Sequence, residues 1–136
     1  LKKVLPNITG EKPVHSFIVY ACNTPIGYIQ YYRLIDFPWP DQSLLDEIIN
    51  QGAGMDIFIG DVNYLGKGYG KKIINDFLNE IVWPLFNYCV VDPDVKNNVS
   101  LQCCEKLGFK KHKIIKTENA LGSPAELCLM IKSKQQ

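Results

Sequence analysis

At 136 residues, with 46% hydrophobic and 21% charged side chains, the chain has the length and composition of one globular domain that builds its own core. A formal net charge of +1 with no long basic stripe argues against a nucleic-acid partner. The longest uncharged apolar-rich run, residues 81–91, is too short to span a bilayer and contains Pro84, so no membrane partner is expected.

Five cysteines (Cys22, Cys89, Cys103, Cys104 and Cys128) make an odd count with no C-x-x-C pair. Buried thiols in a reducing, cytoplasmic compartment fit this better than a disulfide scaffold or a metal site. No signal peptide is visible, and because the chain opens on Leu1 the sequence is compatible with a preceding segment.

In chain order, residues 1–13 read as the end of one element followed by a turn around Asn7 and Gly10. Residues 14–21 are rich in β-branched and aromatic side chains and predict a strand. Asn23-Thr24-Pro25 predicts a turn, and residues 26–34 the returning strand of an antiparallel hairpin. Gly27 within it marks a bulge or a close approach. Residues 36–54 form a long connection with a helical turn or two at Leu44-Leu45 and Ile48-Ile49. Five carboxylates (Asp36, Asp41, Asp46, Glu47 and Asp56) cluster in and just after it. They suit either a solvated surface or an acidic wall for a cationic substrate.

Residues 55–59 predict a short strand ending at Gly60. Ile73, Ile74, Phe77, Leu78 and Ile81 recur at helical spacing, predicting an amphipathic helix of three to four turns that Pro84 ends. Residues 86–91 predict a central strand of nearly continuous hydrophobicity. Asn97 is a candidate N-cap for a helix running to Gly108, with Leu101, Cys104 and Leu107 on its apolar face. Residues 110–117 and 125–131 predict the last two strands. The order is that of an α/β chain with mixed strand directions, not a regular doubly wound repeat.

The segment Leu65-Gly66-Lys67-Gly68-Tyr69-Gly70 is followed by Lys71 and Lys72. Three alternating glycines before a helix permit close backbone approach. The first helical turn offers unpaired N–H donors and a dipole that favours an anion. A phosphate cradle and a purely structural tight helix start both fit. Five residues lie between Gly60 and Gly66, and Gly68 follows Lys67, which excludes a P-loop. The spacing G-x-G-x-G also departs from the dinucleotide fingerprint.

This glycine turn and the stretch Asp92-Pro93…Asn97…Cys103-Cys104-Glu105-Lys106-Leu107-Gly108-Phe109, taken with the order of elements, resemble the GNAT superfamily of N-acetyltransferases. The nearer likeness is to aminoglycoside 6′-N-acetyltransferases. It includes Gly54-Met55-Asp56-Ile57 before the turn, Leu65 at its start and Pro25-Ile26-Gly27-Tyr28 in the hairpin, and it runs from about residue 14 to the C-terminus. The resemblance implies one acyl-CoA N-acyltransferase domain over residues 1–136, with a central mixed, mostly antiparallel sheet and flanking helices. The family's opening strand and helix are expected to be largely missing, with only residues 1–7 able to represent the end of that region.

By the resemblance, acetyl-CoA is the co-substrate, no metal is required, and the acceptor is a small cationic amine, most specifically the 6′-amine of an aminoglycoside, as in antibiotic resistance. The pyrophosphate is expected on Leu65, Gly66, Lys67, Gly68, Tyr69 and Gly70, with Phe58 and Ile59 lining the pantetheine arm and Asn97 contacting it. Asp56 is the expected catalytic or substrate-orienting carboxylate, since it can hold an ammonium and accept a proton. A strand-end aspartate with only a local hydrogen bond is its structural alternative. Tyr28 and Trp39, with Tyr31 and Tyr32, are candidate flat walls for a sugar ring.

Cys104 stands where the family commonly has the tyrosine proposed to protonate the departing thiolate. It reads either as a substitute acid or as a buried core thiol. His15 and His112 lack metal-ligand companions at useful spacing. Dimerisation is an expectation carried by the resemblance. Acetylation of another amine (polyamine, peptide or metabolite) and non-catalytic acyl-CoA binding are the alternative functions.

Overall fold

The computed structural model describes residues 2–3, 14–37, 44–60, 69–118 and 121–134. Seven strands form one sheet: β1 (Lys2–Lys3), β2 (His15–Ala21), β3 (Thr24–Arg33), β4 (Gly52–Ile59), β5 (Tyr88–Val91), β6 (Lys110–Glu118) and β7 (Pro124–Ser133), in the order β1-β2-β3-β4-β5-β7-β6. Only β4 and β5 run parallel; every other neighbouring pair is antiparallel. The sheet is thus mixed and mostly antiparallel, as expected. Lys2–Lys3 form a two-residue strand on the edge beside β2.

The β2–β3 turn is at Cys22 and Asn23, one residue earlier than the sequence suggests, and Thr24 and Pro25 already belong to β3. Cys22 adopts φ 55°, the left-handed conformation that lets so short a turn close. Both expectations for Gly27 hold. Val19 pairs with Gly27 but Tyr20 with Pro25, so Ile26 is the extra residue of a bulge. A Cβ on Gly27 would stand 2.0 Å from the carbonyl oxygen of Phe58, so only glycine lets β3 approach β4 there.

A 3₁₀ turn (Leu34–Asp36) and α1 (Asp46–Gln51) cover one face of the sheet; α2 (Tyr69–Phe77) and α3 (Asn98–Lys106) pack on the other. The first core joins Phe17, Ile29, Tyr31 and Met55 to Ile74, Phe77, Leu78, Val82 and Cys104 of the helical side. The second joins Leu34, Leu44 and Ile48 to Val90, Ile115 and Leu129. Strand alternation links the two: Cys89 and Val91 face the first core and Val90 the second, while Cys128 and Met130 flank Leu129 in the same way. Burial on both faces accounts for the unbroken apolar run of β5.

The predicted amphipathic helix carrying Ile73 to Ile81 is α2 continued by a π segment, Leu78–Val82, whose Trp83 N–H donates to Leu78 O at 2.8 Å. Pro84 has no N–H and its ring would crowd the carbonyl of residue 80 in a regular α-turn, so the helix widens before it stops. In α3, Asn97 is the N-cap: its Oδ1 accepts from Ser100 N–H at 3.1 Å. The helix ends at Gly108 with φ 98°, and Lys132 Nζ donates to Leu107 O at 2.7 Å. The edge strand β6 carries Lys110, Lys111, Lys113 and Lys116, all exposed, which discourages pairing with another chain's edge.

Candidate active site

β4 and β5 pair through three residues only, Gly52↔Tyr88, Ala53↔Cys89 and Gly54↔Val90. Beyond Gly54, β4 continues along β3 to Ile59, held by Gln30↔Asp56, Ile29↔Ile57, Tyr28↔Phe58 and Gly27↔Ile59. The other chain turns the opposite way. After Val91 it leans on β7, where Asp94 bridges Leu127, Val95 N–H donates to Glu126 O at 3.0 Å, and Cys128 N–H donates to Pro93 O at 2.8 Å. The result is a V-shaped fork whose β4 arm, residues 55–59, has no ladder on its β5 side among the described residues. Polar backbone groups along such an edge need a partner, and an extended amide-containing arm supplies one.

Two carboxylates lie within electrostatic reach of each other beside the branch of the fork. Asp56, on the exposed end of β4, accepts from Gln30 Nε2 at 3.0 Å. Asp92 follows the last residue of β5, half-buried, and its carboxyl is pushed up to about 7, by burial first and the charge of Asp56 second. Tyr32 lies near both. A Cβ on Gly54 would stand 2.3 Å from its ring, so the ring packs directly against the glycine. Burial chiefly, then Asp56 and Asp92, raises the phenol far above its ordinary value, so it stays protonated as a donor.

The register separates the predicted site residues by face. Asp56 shares its face with Gln30 and Ser16 in one row, and with Tyr28 and Phe58 in the next. The rings of Tyr28 and Phe58 are 5.8 Å apart and remain 41% and 57% exposed. Phe58 therefore presents its side chain on the carboxylate face. Ile59 reaches the other way, toward the start of α2, with Cδ1 3.9 Å from where a Gly70 Cβ would be. Tyr69 and Gly70 open that helix beside the end of β4; Leu65, Gly66, Lys67 and Gly68 lie outside the described residues, as do Trp39 and Asp41. Asn97 is exposed at the start of α3, its amide oxygen committed to the cap.

Several candidates are committed elsewhere. Tyr31 is buried against Phe77 and Phe86 and forms no substrate wall. Asp36 pairs with Arg33 at 3.1 Å, Glu47 accepts from Tyr88 Oη at 3.0 Å, and Lys72 pairs with Asp76 at 3.1 Å. Cys104 is 5% exposed in the first core, and its thiol is pushed up to about 12, by burial first and then by Cys103, Cys128 and Glu105. The sequence pattern gave no role to Asp92 or Gln30 and offered Tyr32 only as a flat wall for a sugar ring, whereas the fold brings all three near Asp56. The available signal for Asp92 was a carboxylate directly after a fully apolar strand, at the start of the downstream signature.

Residues 1–117 match the profile of the acetyltransferase (GNAT) domain. The chain belongs to the GNAT acetyltransferase family. Aminoglycoside N(6′)-acetyltransferases type 1 of Klebsiella pneumoniae and Serratia marcescens are each 26% identical over 122 residues, covering 85% of this chain and 57% of the relative. The chain thus spans little more than half the length of these curated relatives. Among solved structures, the aminoglycoside acetyltransferase AAC(6′)-Ib bound to coenzyme A superposes with a TM-score of 0.71 at 25% identity, covering 96% of this chain and 72% of that one. Its complex with ribostamycin and coenzyme A gives 0.71 at 25%, covering 96% and 70%. A spermidine N-acetyltransferase chimera from Vibrio cholerae and hSSAT, at 19% identity and TM-score 0.69 over 90% of this chain and 68% of that one, shares the GNAT fold. Among the described residues no helix is long and apolar enough to cross a membrane.

Proposed function

We propose that this GNAT domain transfers acetyl from acetyl-CoA to a primary amine held at Asp56 and Asp92, with the 6′-amine of an aminoglycoside as the first acceptor class. The observation that carries the reading is the fork with two carboxylates at its branch. Among the described residues the β4 edge at 55–59 has no strand partner on its β5 side and can pair with the amides of a pantetheine arm, and the N–H groups at the start of α2, Tyr69 and Gly70, suit a pyrophosphate. Complexes of the AAC(6′)-Ib relative with coenzyme A support this assignment.

The chemistry follows from the charges. An amine arrives protonated and is attracted to the carboxylate pair. Asp92, with its carboxyl near about 7, accepts a proton from that ammonium at neutral pH while Asp56 holds the nitrogen. The freed lone pair attacks the thioester carbonyl. The N–C bond forms, the C–S bond breaks, and the electron pair leaves on the coenzyme sulfur. The second proton lost by the nitrogen balances the departing thiolate.

Cys104 is a poor source for that proton. An acid near about 12 protonates a thiolate of reference pKa roughly 8.5 only uphill. We therefore assign Cys104 to packing.

A second acceptor class, a polyamine, peptide amine or metabolite amine, is favoured by one observation. Asp36 and Glu47 are engaged within the protein, which leaves fewer carboxylates for the remaining ammonium groups of a polycation. Thiol release from acetyl-CoA, followed with kanamycin, ribostamycin, spermidine and a peptide amine, tests both readings. Turnover of an aminoglycoside, reduced roughly a hundredfold in kcat/KM by Asp56→Asn, is the expected result. Turnover confined to the other amines removes the aminoglycoside assignment. No binding of coenzyme A at millimolar concentration overturns the whole reading.

A further inference from the structure

A polar row crosses three strands beside the fork. Ser16 of β2, Gln30 of β3 and Asp56 of β4 are paired in register, so the backbone ladders bring their side chains together on one face. Ser16 Oγ donates to Gln30 Oε1 at 3.2 Å, and Gln30 Nε2 donates to Asp56 Oδ2 at 3.0 Å. All three residues are half-buried, so these bonds are partly shielded from competing water. An ionised carboxylate only accepts, so the glutamine must turn its nitrogen toward Asp56 and its oxygen away. That oxygen then needs a donor of its own, and the Ser16 hydroxyl provides it.

We propose that Gln30, held in this orientation by Ser16, is a positioning residue for Asp56, fixing the carboxylate so that Oδ1 is the oxygen presented to the acceptor amine. The inference rests on Asp56 being the acceptor carboxylate. Neither Gln30 nor Ser16 touches the reacting atoms. Without the amide, Asp56 is free to rotate about its side-chain bonds, and an ammonium must order it on binding. The penalty falls on the acceptor, while the binding of acetyl-CoA along the β4 edge is untouched.

The test uses the full chain, kanamycin and spermidine as acceptors, and four variants: Gln30→Leu, Ser16→Ala, Ser16→Thr and the double variant Ser16→Ala/Gln30→Leu. Gln30→Leu is expected to raise acceptor KM about tenfold and Ser16→Ala about threefold, with the KM for acetyl-CoA within about twofold of wild type. Because Ser16 acts only through Gln30, Ser16→Ala adds nothing in the Gln30→Leu background, and Ser16→Thr, which keeps the hydroxyl, restores the wild-type value.

A readout independent of turnover is the pair of Gln30 side-chain amide NMR signals, identified by their loss in Gln30→Leu. They move toward free-amide positions in Ser16→Ala and return in Ser16→Thr. Additive kinetic effects, equal changes in both KM values, or amide signals that ignore Ser16 each overturn the proposal. Asp56→Asn separates the two layers. If that variant retains wild-type acceptor kinetics, the role of Asp56 itself fails; if it is impaired while Gln30→Leu is not, only the positioning role fails.

Discussion

A base that takes a proton from an ammonium at neutral pH works best when its own pKa lies near the ambient pH, and Asp92 is brought there mainly by burial. The same shift makes Asp92 a stability switch. Its folded value is raised above the unfolded one, so the folded state holds the proton more tightly. Its contribution to stability is fully present below about 4 and is lost as pH rises to about 7. Asp92→Asn is therefore expected to gain about 1–2 kcal/mol over wild type at pH 8, a figure discounted for partial solvent access, and nothing at pH 4. Urea unfolding at the two pH values measures the difference. The acidic limb of the kcat/KM profile near pH 7 should disappear in the same variant if Asp92 is the base. At Cys104 the expectation is reversed. Cys104→Ala should change kcat less than about threefold while lowering stability by about 1–2 kcal/mol if, as proposed, the thiol fills core volume and is not the proton donor. The Asn97 cap could be read from sequence because it announces itself locally, before an apolar helical face, whereas Asp56 is singled out only through the family resemblance. The raised carboxyl of Asp92 could not be read, since it depends on a neighbour brought close only by the sheet.

Elements were legible wherever hydrophobic period alone decided them, as in β5, β7 and α3, and misread by a residue or a turn where backbone geometry intervened. The hairpin turn is the example. Asn23-Thr24-Pro25 has turn composition, yet the residue that bends is Cys22, whose positive φ no propensity would suggest. Similarly, the apolar spacing through Ile81 describes α2 well but not the π turn before Pro84. Gly27 matters at this scale because it sets how closely β3 can carry the outer arm of the fork. A methyl group there meets the Phe58 carbonyl oxygen at 2.0 Å and Ile59 Cα at 2.8 Å, both backbone atoms that move only if the strands part. Gly27→Ala is therefore expected to cost about 2–3 kcal/mol, at the upper end for a single substitution. It should also weaken coenzyme A binding, because Phe58 and Ile59 shift with the strand. Chemical denaturation and a coenzyme A titration check the two halves. Unchanged stability would mean that the bulge at Ile26 absorbs the methyl group without moving β4.

For the molecule as a whole, the fork is a consequence of topology. A single parallel pair inside an otherwise antiparallel sheet joins two antiparallel blocks, β1–β4 and β5–β7, and beyond Gly54 each strand follows its own block. Sequence order supported a mixed sheet but could not show where the pair separates. That depends on Asp94, Val95 and Cys128 tying the chain after β5 to β7. Because β5 and β7 place alternate residues in both cores, the two blocks are expected to unfold together. A ligand bridging the fork then stabilises the whole cooperative unit. At a coenzyme A concentration about a hundredfold above its Kd the gain is about 2.7 kcal/mol, and Tm should keep rising with the logarithm of concentration. In a Trp39→Phe background tryptophan fluorescence reports Trp83 beside the first core, and it and far-ultraviolet circular dichroism should give the same Tm at each concentration. If coenzyme A shifts one signal without the other, the fork stabilises only one block, and the two cores do not form one folding unit.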